Sequence, residues 1–222
     1  MNKRAKQDIY FNIENDFLWF LIALGLLLFI PSFIEHDLAK DVSIYSFLLA
    51  SMATGIISAA VNKRHFRLGL AFGGICFLAN LPIYPFLPYT AIFILRMGGL
   101  IVFFTYISIM VFIRISQHRI SFNIILGAIV GYLLMGTIGG FWCRLIEYLY
   151  PGSFGMPDGM EAQVDTLTYF SFVTMSSLGY GDMTPATAQG RSVALFLTIL
   201  GQMYMAISVA ILISKYSVYN KK

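Results

Sequence analysis

Nine consecutive residues carry the chemistry of this chain: Thr174-Met175-Ser176-Ser177-Leu178-Gly179-Tyr180-Gly181-Asp182. Two glycines separated by one residue admit backbone conformations that a Cβ penalises. A strand built this way can aim successive carbonyl oxygens in one direction. Carbonyl oxygens arranged in a ring replace the hydration shell of a cation. A hydroxyl-rich stretch precedes the glycines and a carboxylate, Asp182, follows them. The chemistry is therefore dehydration and passage of a cation by neutral oxygens. Nothing in the chain suggests bond making: it has no phosphate-binding loop, no nucleophile–base set and no metal-ligand cluster. No enzymatic function is expected, and no cofactor.

The surrounding elements must hold such a strand away from bulk water. Of the 222 residues, 58% are apolar and only 12% charged, against about 25% charged in ordinary globular chains. That composition excludes a disordered chain and, with two cysteines, a disulfide scaffold. It is the composition of a membrane protein. Six apolar stretches approach or reach the ~17–25 residues a helix needs to cross the hydrocarbon: Phe17–Ile34, Val42–Val61, Leu68–Ile83, Tyr89–Ile113, Ile120–Tyr150 and Ser192–Ile213. The third is the shortest. The fold class expected is all-α integral membrane, with six transmembrane helices. Between the fifth and sixth, Val164–Leu178 turns apolar again but is too short and too hydroxylated to span. It reads as a re-entrant segment, with Asp165 as N-cap of a short helix that ends near Met175, before Pro185 bars further helix. Irregular backbone at membrane depth is tolerated only inside protein or along a watery path, as a cation route requires.

Charge sorts the connecting segments. Lys3, Arg4, Lys6, Lys63, Arg64, Arg67, Arg114, Arg119, Lys215, Lys221 and Lys222 fall on one side; Glu35, Asp37, Asp41, Glu147, Asp158, Glu161, Asp165 and Asp182 fall on the other. Basic loops stay in the cytoplasm, so both termini are expected there, which an even number of crossings satisfies. A cleaved signal peptide is the competing reading of the first stretch. Glu14 and Asp16 interrupt its pattern, and no small-x-small cleavage site precedes Glu35. The basic residues do not cluster among aromatics on a soluble face, so nucleic acid is not expected as a partner.

The nine-residue run resembles the filter signature of potassium channels, T-x-T-T-V-G-Y-G-D, the familiar instance of a carbonyl ring. The resemblance extends over Ser121–Tyr216 and is greatest to small bacterial six-span channels without a large cytoplasmic domain. It implies a four-span N-terminal domain over 1–116 and a pore domain over 117–222. By this resemblance Ser177, Leu178, Gly179, Tyr180 and Gly181 would present backbone carbonyls to K+, Ser177 adding its hydroxyl. Thr174, Tyr169 and Asp182 would support the filter, Tyr169 bonding Asp182 where many members have Trp. Gly201 would be the hinge of the inner helix, and Gln202, Met205 and Val209 would line its cavity. One chain carries one filter segment, so a ring needs several chains; the family implies a homotetramer in the cell inner (plasma) membrane, with lipid as its other partner. K+ would be the permeant ion.

Three departures bear on selectivity. Ser177 stands where the family has Thr, Leu178 replaces a β-branched residue, so χ1 is less stiff there, and Tyr169 offers a hydroxyl in place of an indole N–H. They leave a less selective cation channel open as the alternative, beside a non-conducting membrane receptor. A strong voltage sensor is not expected: after Arg96, the positions at spacing three are Gly99 and Val102. One charge across the field is worth ~2.3 kcal/mol per 100 mV, far below what 3–4 charges per subunit supply. Arg96 itself either snorkels outward or holds a lipid headgroup or small anion. The G-x-x-x-G pairs at 127/131 and 136/140 permit close helix contact, expected here against the sixth span. His36, His65 and His118 lie in or beside loops.

Overall fold

The computed structural model describes residues 15–34, 36–60, 63–80, 88–117, 121–157 and 159–219. Among them the chain forms seven α-helices: α1 Asp16–Phe29, α2 Asp37–Ala59, α3 Lys63–Asn80, α4 Tyr89–Gln117, α5 Phe122–Leu149, α6 Val164–Met175 and α7 Ala188–Tyr219. A 3-10 turn, Ile30–Phe33, prolongs α1, because Pro31 lacks the N–H that an α-helix would use. Two short strands, β1 Phe154–Gly155 and β2 Thr184–Pro185, pair antiparallel. Lys3, Arg4, Lys6, Glu35, Asp158, His118, Arg119, Lys221 and Lys222, with the charge assignments made for them, lie outside the described residues.

Five helices among the described residues are long and apolar enough to cross a membrane, over Asp16–Phe33, Leu38–Ala59, Tyr89–Gln117, Phe122–Leu149 and Ala188–Ser214. The sequence reading counted six. The third stretch is where the two differ: α3 is 18 residues long, and a window of that length takes in Lys63, Arg64 and Arg67.

The chain divides into two compact units that do not follow chain order: 1–78 with 106–131, and 79–105 with 132–222. In the first, a buried polar cluster ties the ends of four helices. Asp16 and Arg114, 98 positions apart, form an ion pair, both nearly fully buried. Asp16 Oδ1 accepts from the Asn123 side-chain amide at 2.7 Å and from the Phe17 N–H at 2.9 Å. Arg114 also donates to the Ser58 carbonyl at 2.7 Å and lies over the Phe17 ring, 4.7 Å from its centroid. The Ser58 hydroxyl donates to the Asp16 carbonyl at 3.2 Å. The sequence reading left Asp16 as an interruption of a signal-like stretch and Arg114 as a loop charge. The structure adds a partner to each: Arg114, in the last turn of α4, pairs with Asp16, which opens α1, where a negative charge also complements the helix dipole. Phe17, Phe20, Ile107 and Val111 of the same unit are all fully buried.

In the second unit Arg96 neither points free nor stands alone: its Nε donates to the Ala79 carbonyl at 3.1 Å. Ala79 lies in the last turn of α3, where carbonyls lack helical partners, so Arg96 caps that helix end. Glu147, counted with the extracellular loop acids, belongs to the last turn of α5 and is buried. It accepts from the Gly152 N–H at 2.7 Å and the Phe154 N–H at 3.0 Å, fixing the turn after α5. That turn fixes the start of α7 in its own way. The Thr187 hydroxyl oxygen accepts from the Gly190 N–H at 3.1 Å, an N-cap, while its proton goes to Ser153 Oγ at 2.9 Å.

Removing one partner of a buried ion pair leaves the other charge uncompensated, at a cost of about 3–5 kcal/mol. Asp16→Ala and Arg114→Ala are each expected to lower the thermal stability of the purified protein by that order, whereas the double substitution Asp16→Leu/Arg114→Met recovers most of it. Thermal unfolding in detergent measures all three.

Candidate functional site

Helix α6 is 12 residues long, about 18 Å at 1.5 Å per residue, too short for ~30 Å of hydrocarbon. Its N-cap is Gln163, with no side-chain cap bond. The expected N-cap, Asp165, instead sits within the first turn and accepts from the Thr166 N–H at 2.9 Å. The negative charge still complements the N-terminal end of the dipole.

Glycines of α5 seat this helix. A Cβ added at Gly136 would collide with the Phe172 ring, at Gly140 with Thr168, and at Gly139 with Ser171 and with Leu197 of α7. The expectation that this face packs on the last span is corrected: α6 takes most of it. The hydroxyls that made the segment look too polar to span are used here, as Ser171 donates to the Gly136 carbonyl at 2.8 Å. Beneath α6, Leu167 and Phe170 join Cys143, Phe154, Met183 and Leu197 in one buried apolar cluster.

The end of α6 sets the path of the glycine strand. Ser176 is the C-cap, the Ser177 N–H donates to the Thr174 carbonyl at 3.0 Å and the Leu178 N–H to the Val173 carbonyl at 3.0 Å. This is a Schellman turn, with Ser177 in the left-handed position at φ 59°. Glycine usually fills that position; a residue with a Cβ pays roughly 1–2 kcal/mol there. Positive φ then recurs at Gly179 (56°) and Gly181 (82°), while Leu178 and Tyr180 are not left-handed. In an extended strand successive carbonyls point to opposite sides. Alternation of positive and negative φ is the backbone pattern by which every second peptide plane can be turned over, which carbonyls on one side would require. Ser177, Leu178, Gly179, Tyr180 and Gly181 are all exposed in the single chain.

Two side-chain hydrogen bonds hold this strand, and a glycine of α7 packs at its start. The Tyr169 hydroxyl donates to Asp182 Oδ2 at 2.6 Å. The Gln202 amide of α7 donates to Ser177 Oγ at 2.9 Å. At Gly201 a Cβ would meet the Met175 carbonyl and side chain, so the absence of a side chain lets α7 lie against the last residue of α6. Helix α7 runs unbroken through Gly201. Sequence reasoning named Gln202 only as a cavity residue and Gly201 only as a hinge; a polar residue beside a glycine in an apolar helix was the available signal for both contacts. Of the acids near this site, Glu161 accepts from the Gln163 amide at 2.9 Å.

The hydrogen bond to Asp182, with its negative charge beside it, raises the Tyr169 phenol from 10.0 to about 12. A raised pKa contributes stability that is complete below the unfolded value and lost as pH climbs through the folded one. The melting temperature of the wild type is therefore expected to exceed that of Tyr169→Phe at pH 9. This difference closes between pH 10 and pH 12, as a pH series of thermal unfolding on both proteins would record.

Comparison with known proteins gives a family match over the part of the chain that contains this strand. Residues 121–217 match a family described as "Ion channel" (Ion_trans_2). A Rhodopseudomonas palustris protein named provisionally as a potassium channel is 37% identical over 71 residues, 32% of this chain and 15% of the relative. The Shaker-related potassium channel tsha2 of Oncorhynchus mykiss is 26% identical over 94 residues, 42% of this chain and 18% of the relative. The human potassium voltage-gated channel subfamily A member 10 is also 26% identical over 94 residues, 42% of this chain and 17% of its own length. The chain thus spans less than a fifth of the length of these curated relatives. No solved structure matches it significantly.

Proposed function

We propose that this chain, whose residues 121–217 match an ion-channel family, is the subunit of a potassium channel, in which four copies close a ring of carbonyls around the ion. The observation that carries this reading is the alternation of positive φ at Ser177, Gly179 and Gly181, directly behind the C-terminus of a short helix. Carbonyls of Ser177 to Gly181, with the Ser177 hydroxyl, replace the water around K+. The C-terminal end of α6 carries the negative end of its dipole and favours a cation on its approach. Thr174 contributes the carbonyl that closes the turn, and the Tyr169–Asp182 bond braces the outer end. Transport is passive, down the gradient, with K+ as the permeant ion and no cofactor.

In this reading α3 is a sixth crossing, its three basic residues at the cytoplasmic face, and α6 enters and leaves on the outer side. Both termini are cytoplasmic, in the inner (plasma) membrane, and lipid surrounds the tetramer. Residues 1–116 form the four-span domain and 117–222 the pore domain. Voltage moves it weakly at most: Arg114 is held by Asp16 and Arg96 by the end of α3, so neither is a row of mobile charge. Opening bends α7 near Gly201.

Flux through purified protein in liposomes, with K+ and Na+ gradients imposed separately, tests the reading. K+ flux well above Na+ flux is expected, and Gly179→Asp abolishes it, since Gly179 sits at φ 56° where a side chain is strained. Equal flux of the two ions would contradict the selectivity, and K+ flux that survives Gly179→Asp would contradict the pathway.

A further inference from the structure

Ser177 occupies the most constrained point of the strand and has the least constrained side chain. It lacks the γ-methyl that makes Thr stiff at χ1, so nothing within the residue fixes where its hydroxyl points. A hydroxyl has one proton to give and two lone pairs. The structure supplies the missing restraint from another helix: Gln202 Nε2 donates to Ser177 Oγ at 2.9 Å. Gln202 reaches it because the neighbouring Gly201 lets α7 lie against the Met175 carbonyl.

We propose that Gln202 is a positioning residue for ion discrimination, its amide orienting the Ser177 hydroxyl so that an oxygen lone pair, and not the proton, faces the ion. This rests on the channel reading above. The amide proton occupies one lone pair of Ser177 Oγ. The other lone pair and the O–H then share the remaining directions, and in the proposed arrangement the lone pair is the one left for a cation. An apolar side chain at 202 frees the rotor, and the hydroxyl then spends part of its time with its proton toward the ion. The site loses an oxygen from its inner end and distinguishes K+ from Na+ less well. Ser177 and Gln202 are in this account one unit split between two elements, standing in for a single stiffer side chain.

The test is the Na+/K+ permeability ratio from reversal potentials of the reconstituted full-length protein, for wild type, Gln202→Met, Ser177→Ala and the double variant. Methionine keeps the length of glutamine and removes the donor. Loss of one hydrogen bond of ordinary strength corresponds to roughly a fivefold change in an equilibrium. The ratio is expected to rise about fivefold in Gln202→Met and by a similar factor in Ser177→Ala, and to rise no further in the double variant. A Gln202→Met ratio equal to that of a K+-selective wild type overturns the proposal, as do effects that multiply in the double variant. If Gln202→Met does not assemble, Gln202→Asn, whose amide stops a methylene short, is measured in its place against the same outcomes. A wild type that passes no K+ overturns the channel reading and this inference together, and is distinct from a conducting wild type with an indifferent Gln202.

Discussion

A helix that stops inside a membrane protein leaves carbonyls with no partners, and the way α6 disposes of its last ones determines the site. The N–H groups of Ser177 and Leu178 turn back to Thr174 and Val173, which obliges Ser177 to be left-handed. That single reversal starts the alternation that Gly179 and Gly181 continue. The strain stored at Ser177 persists because the surroundings over-determine it: α5 below, α7 beside, and Tyr169 with Asp182 at the far end.

Each neighbour is fitted by omission as much as by contact. Gly136, Gly139 and Gly140 make the surface on which α6 lies, and Gly201 allows the close approach of α7. Such contacts suit a membrane, where helix association gains little from burying apolar surface and depends on close packing and hydrogen bonds. The Asp16–Arg114 cluster in the other unit follows a different rule. There a pair of charges is taken from water, and the geometry is acceptable only because Asn123, Ser58 and the Phe17 ring satisfy what remains.

The parts legible in the sequence are those whose causes are local. The glycine spacing, the excess of hydroxyls in too short an apolar run and the end of α6 at Met175 could all be read within twenty residues. The parts that were not legible depend on partners distant in sequence. Asp16 meets Arg114 across 98 positions; charge counting placed Arg114 with the cytoplasmic basic residues, gave Asp16 no side, and missed that the two pair. Arg96 was weighed between solvent and anion, and a helix-end carbonyl took it. Glu147 looked like a loop acid because the turn it organises follows it by only five to seven residues. The glycine pattern of α5 announced a close contact without naming the partner. The sixth crossing was counted on apolarity, while three basic residues occupy the first turns of α3.

The central claim is that the carbonyls of the alternating strand bind K+ directly. Carbonyl 13C shifts of Gly179 and Gly181, recorded by solid-state NMR on the purified protein in lipid during a K+ titration and a matched Na+ titration, address it at the atoms concerned. The account predicts a saturable K+-dependent shift at both carbonyls and no equal response to Na+. Shifts indifferent to K+, or identical in the two salts, would contradict it.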